Sequence, residues 1–91
     1  MKTLIMDGRK IELTNQQLQL FSALFNARGN ALTTRQLSYS IYSDAEAGDD
    51  LIRQQLYKLR KKLEPTLFRI ISQQWRGYWL SRLPEVVKVA T

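Results

Sequence analysis

Arg53, Gln54, Tyr57, Lys58 and Lys61 share the outer arc of one helix at roughly 100° per residue, with Arg60 and Lys62 on its flanks. These are cations and hydrogen-bond donors, and their chemistry is the pairing of a polyanion rather than the making of bonds. Residues for covalent chemistry are scarce. The chain has no cysteine and no histidine, which excludes disulfides, thiolate nucleophiles, the usual zinc sites and any triad built on histidine. Asp44, Glu46, Asp49 and Asp50 could be drawn as a metal cluster or an acid–base pair. No pocket pattern flanks them, and helix capping explains Asp49 and Asp50 more simply. No catalytic residue, metal or cofactor is expected.

The elements that must position this arc follow from periodicity. Leu4 to Met6, the dipeptide Asp7-Gly8, and Arg9 to Leu13 with Ile11 and Leu13 alternating against Lys10 and Glu12 predict a hairpin over 3–13. Thr14 with Gln17 three residues on opens helix one, which spans 15–28, buries Leu18, Leu20, Phe21, Leu24 and Phe25, and stops near Gly29. Thr33 or Thr34 caps helix two over 34–42, with Leu37 and Ile41 inward. After a small acidic turn from Ser43 to Gly48, Asp49 and Asp50 supply an N-cap and a favourable charge for helix three, 50–63, which Pro65 prevents from continuing. Ile52, Leu56, Leu59 and Leu63 form its buried stripe. Leu67, Phe68, Ile70 and Ile71, a turn at Gln73 to Gly77, and Tyr78 to Leu80 make a second hairpin over 67–81. Residues 84–91 are a tail whose Val86, Val87 and Val89 can pair with a strand or pack on another surface.

Ninety-one residues suit one domain, 1–83 plus the tail, with 44 % hydrophobic residues to build its core. Apolar runs of about three residues are far too short for a membrane helix, and no cleavable signal is read at Met1 to Met6. We therefore expect a cytoplasmic protein with no membrane partner. Net charge is +6, and it is concentrated: residues 51–82 carry eight bases and one acid. Solvation of a helix face is the bland reading of that surplus, and a binding surface the sharper one.

The order of hairpin, three helices and hairpin, with a basic outward face on helix three and Arg76 near the second hairpin's tip, is the plan of a winged helix-turn-helix of the α+β class. An α-helix fits the major groove of B-DNA, and a basic hairpin tip can reach an adjacent groove. The competing reading is a small α+β domain whose third helix is merely solvated.

The residues resemble the OmpR/PhoB-type winged-helix domains of bacterial response regulators. The resemblance is carried by Glu12-Leu13-Thr14, by Leu32-Thr33-Thr34-Arg35-Gln36-Leu37 with Ile41-Tyr42, by Leu56-Tyr57-Lys58-Leu59-Arg60-Lys61-Lys62-Leu63, and by Ile70-Ile71-Ser72 followed by Gly77-Tyr78. It covers residues 4–80. It implies a nucleoid-associated regulator of transcription whose recognition helix, 50–63, places Arg53, Gln54, Tyr57, Lys58 and Arg60 in the major groove of double-stranded DNA. Lys61 joins them from its place on the exposed arc. Ser72, Arg76 and Tyr78 fall on wing positions that touch backbone or minor groove. Thr34 and Tyr42 stand where the family often has Arg and Trp near phosphates, with Arg35 partly replacing the first.

Several positions depart from the pattern. The hairpin is a shortened form of the family's four-stranded N-terminal sheet, and no receiver domain is read in the chain, so phosphorelay within this polypeptide is not expected. Gln17 replaces an acidic residue in helix one. Trp75 replaces a small residue in the wing turn, where it can stack on or wedge into DNA, or dock a partner. The alternative function is a winged-helix interaction module that binds RNA polymerase or another regulator. The expected assembly is a monomer in solution that binds DNA cooperatively, through the acidic loop, the hairpin or the tail.

Overall fold

The computed structural model describes residues 2–42 and 48–83. Asp44 and Glu46 of the acidic turn, and the tail with Val86, Val87 and Val89, lie outside the described residues. In chain order the elements are β1 (Lys2–Met6), β2 (Arg9–Leu13), α1 (Asn15–Asn26), α2 (Thr34–Tyr42), α3 (Asp49–Leu63), β3 (Phe68–Gln73) and β4 (Gly77–Arg82). The α+β plan of three helices between two antiparallel hairpins is the one the sequence predicts.

Local chemistry sets the element ends. Asp7 and Gly8 both have positive φ, 52° and 77°, as a two-residue hairpin turn between right-twisted strands requires. At α1 the Thr14 hydroxyl accepts from Gln17 N at 3.1 Å and the Gln17 carboxamide accepts from Thr14 N at 2.9 Å, a reciprocal cap. Helix α1 ends at Asn26, two residues before the expected Arg28, because Arg28 turns left-handed (φ 52°) and Asn30 N donates to Ala27 O. The same reciprocal cap recurs at α2 between Thr33 and Gln36, at 2.8 and 3.2 Å, so Thr33 rather than Thr34 is its cap.

Helix α3 corrects an expectation. It begins at Asp49, one residue early, and its N-cap is Gly48, which offers no side-chain bond. Asp49 instead reaches across to α2, where its carboxylate accepts from the Thr34 hydroxyl at 2.9 Å. Asp49 and Asp50 still place negative charge at the positive end of the helix, and Arg60, Lys61 and Lys62 place positive charge at the other.

The core lies between the helices and the inner faces of both hairpins. Ile52, Leu56, Leu59 and Leu63 are buried as their spacing predicts, against Leu13, Leu20, Leu24 and Leu37. Each such side chain contributes about 1.5–3 kcal/mol. Gln55 ties α3 to α1 through a 3.0 Å bond from its Nε2 to Gln16 Oε1.

Two of the eight bases in residues 51–82 belong to the fold rather than to a free surface. The Arg69 guanidinium donates to the carbonyls of Thr66 (2.6 Å) and Phe68 (2.7 Å), with longer bonds of 3.4 Å to Leu63 and Glu64. It caps the negative end of α3. Buried Thr66 adds a bond from its hydroxyl to Leu63 O at 2.7 Å, so the turn from α3 into β3 is fixed. Arg82 pairs at 2.6 Å with Asp7, whose other oxygen accepts from Leu67 N at 2.8 Å. This join carries β4 to Arg82, one residue past the expected end, and β3 begins at Phe68, one past its expected start.

The wing is also seated from behind. Leu32 and Tyr78 exchange both backbone bonds, at 2.7 and 2.8 Å, which docks β4 on the link between α1 and α2. The approach is so close that a Cβ at Gly77 would meet the carbonyl of Leu32, and Gly77 itself has φ +119°.

Candidate nucleic-acid interface

Arg53, Gln54, Tyr57 and Lys58 line one shallow depression on the outer face of α3, together with Asp50. The sequence assigns Asp50 to the start of the helix rather than to this face. Its carboxylate lies 3.6 Å from the Arg53 guanidinium, one helical turn away. Both side chains are well exposed, so this pair adds little stability and leaves Arg53 available to a ligand. It also sets a negative charge inside an otherwise donor-rich face.

Lys61 continues the arc toward the far end of the helix. Its ammonium lies 5.5 Å from the centre of the Tyr57 ring and 3.8 Å from Glu64. It lines a second depression beside β2, with Lys10, Glu12 and Lys62. Lys62 is the flank of the arc read from the sequence, whereas Lys10 extends the basic surface beyond it, and only the packing of β2 against α3 reveals Lys10.

A groove of about 510 Å³ runs between the start of α2, the first half of α3 and the wing. Its walls bring together Thr34 of α2, Arg53 of α3, Ser72 of β3, Tyr78 of β4, and Trp75 and Arg76 from the turn between the two strands. Arg53 lines both this groove and the helix depression, so the two surfaces meet at one residue. Ser72 and Tyr78 face each other across the wing ladder. The Thr34 hydroxyl already donates its hydrogen bond to Asp49 and is left as an acceptor, a poor match for a phosphate oxygen.

Three candidates line neither depression of α3 nor the groove. Arg35 is exposed on α2, Arg60 is half-buried on the flank of α3, and Tyr42 packs its ring against the core.

The wing tip holds the most unusual geometry. Arg76 N donates to Gln73 O at 3.1 Å, closing a turn whose third residue is Trp75, with φ +69° and 96 % of its surface exposed. The Arg76 guanidinium stacks 4.9 Å from the centre of the Trp79 ring. Trp79 was missed in the sequence. Its signal is alternation along β4, where Tyr78 and Leu80 pack inward and leave Trp79 on the other face.

Among the described residues no group of three or more His, Cys, Asp and Glu could hold a metal ion, and no helix is long and apolar enough to cross a membrane.

Residues 8–80 match the model of a family described as transcriptional regulatory protein, C terminal. No curated protein matches the chain. Among solved structures the chain is similar to the DNA-binding domain of the response regulator AdeR, in a crystal structure in complex with an intercistronic region. Identity is 22 %, the TM-score is 0.70, and the match covers 85 % of this chain and 82 % of that one. At that identity the likeness is one of fold.

Proposed function

The chain belongs to the OmpR/PhoB-type family of transcriptional regulatory C-terminal DNA-binding domains, and from that premise we propose that it reads double-stranded DNA sequence-specifically to regulate transcription. Helix α3 lies in the major groove and the wing lies on the adjacent backbone or minor groove. The observation that carries this reading is the position of Arg53, shared between the exposed face of α3 and the groove under the wing. A duplex laid along one surface meets the other.

Roles follow from position along α3. Arg53 and Gln54 sit in the first half of the helix, where a recognition helix approaches base edges, and each can bind a base bidentately. Tyr57 flanks them. Lys58, Arg60 and Lys61 lie further on and take phosphates, as do Arg35 and Arg76 at the margins. One helix and one wing cover only about half a dozen base pairs, too few for a selective genomic site. The protein is accordingly a monomer in solution that assembles cooperatively on DNA.

Salt tests the division of labour. Removing one phosphate contact flattens the slope of log affinity against log salt by about 1, so Lys58→Ala and Lys61→Ala should each do so, on preferred and random duplexes alike. Arg69→Ala should leave the slope unchanged while lowering resistance to urea, because its guanidinium is spent on backbone carbonyls. A slope unmoved by both lysine changes would mean that these side chains only solvate the helix.

A second reading has its own support. Ile5 and Phe25 are 74 % and 55 % exposed, Phe25 contrary to its expected burial, and Phe25 meets Phe68 edge-on at 6.4 Å on a face that shares no residue with Arg53's groove. That face suits an interaction module for RNA polymerase or another regulator. Complex formation through it would resist salt, as apolar interfaces do.

A further inference from the structure

We propose that Trp75 is a wedge that enters double-stranded DNA between two base pairs beside the α3 subsite, selecting a deformable step there and bending the duplex. The inference rests on the DNA-binding reading and adds to it a second subsite with its own sequence preference.

The backbone is the first ground. The turn that Gln73 and Arg76 close has Trp75 at its third position with φ +69°, a conformation that glycine or asparagine adopts freely and a bulky aromatic residue does not. A side chain held in that region normally compensates by packing. Trp75 packs on almost nothing, with 96 % of its surface in water. Neither the local conformation nor the core favours tryptophan here, so what favours it lies outside the fold.

The surroundings identify the ligand as nucleic acid rather than an apolar partner. The residues around the indole at the tip are Gln73, Gln74 and Arg76, and no acid occurs from Thr66 to Leu83. A protein-docking surface centred on a tryptophan would gather apolar neighbours around it. A ring that projects into water from a tip of carboxamides and a guanidinium instead resembles the apolar wedges that minor-groove proteins insert between base pairs, where cations beside the wedge meet the negative potential of the groove. Stacking of Arg76 on Trp79 holds one such cation next to the tip. The tip also borders the groove that Arg53 lines, so a duplex read by α3 passes beneath it. Pyrimidine–purine steps unstack most readily, which makes TA and CA/TG the expected steps at this position.

The test uses the full chain and a duplex that it enriches from a random pool, with a fluorescent adenine analogue placed in turn at each adenine of the enriched site and its flanks. The wedge predicts a rise in fluorescence at one step when protein binds, together with a shortened end-to-end distance measured by energy transfer between the duplex ends. Trp75→Gly, which relieves the turn and keeps the fold, should bind about tenfold or more weakly and abolish both signals. Binding by the wild-type chain with no unstacking at any position overturns the wedge. So does Trp75→Gly that binds and bends as the wild type does, which would leave the indole to a protein partner. A chain that enriches no duplex overturns the reading of α3 first, and the wedge with it.

Discussion

Alanine at both Arg53 and Gln54 removes about 2–6 kcal/mol of discrimination, so the preference for the best duplex over random DNA falls by roughly 30-fold or more. Affinity for random DNA falls far less, because the phosphate contacts further along α3 remain. Competition binding against an unselected duplex pool measures the ratio directly. Gln55→Ala is the internal control, since its carboxamide is engaged by Gln16 on α1 and faces away from the proposed groove. An unchanged ratio in the double variant, or an equal loss in the Gln55 variant, would move base readout off this part of the helix.

Gly77→Ala is expected to cost about 2–5 kcal/mol of folding stability, read from the urea midpoint at constant slope. Two effects combine. The residue sits at φ +119°, and the added methyl would press on the backbone of Leu32, which is held by its two bonds to Tyr78 and has little room to move. Gly29→Ala separates the effects, because Gly29 has φ +85° but open space around it. That variant should lose only about 1 kcal/mol or slightly more. Equal costs at the two glycines would mean that the wing is not seated on the link between α1 and α2. Because the wing tip and Arg53 border one groove, Gly77→Ala should also loosen DNA binding under conditions where the rest of the chain is folded.

What could be read from the sequence was whatever depends on neighbours a few residues apart. The Asp7-Gly8 turn, the Thr14–Gln17 cap and the buried stripe of α3 all follow from short spacings. The cap of α2 was equally accessible, since only Thr33 has a glutamine three residues on; Thr34 is followed at that distance by Leu37. Misreadings arose where a side chain is claimed by something distant. Asp49 looks like a cap until Thr34 takes its carboxylate, and Arg69 and Arg82 look like surface charge until carbonyls and Asp7 claim them. The partner of Arg82 lies 75 residues away, beyond any local pattern.

The candidate site divides along the same line. The arc of Arg53, Gln54, Tyr57, Lys58 and Lys61 is a matter of helical period and was legible. Its continuity with the wing through Arg53 depends on how α3 and β3 are joined at Thr66 and Arg69, which no spacing encodes. Asp50 was explained by capping and so overlooked as part of the face, while Lys10 enters the basic surface only because β2 packs beside the end of α3. The positive φ of Trp75 had no sequence signal beyond a glycine two residues later.

Enrichment of random duplexes by the full chain at moderate salt, followed by sequencing, tests sequence-specific DNA reading most directly. The expected result is a recurring motif bound about 10³-fold or more tightly than the unselected pool, with affinity falling steeply as salt rises. Duplexes that return with no shared motif, or a motif bound no more tightly than the pool, would contradict it.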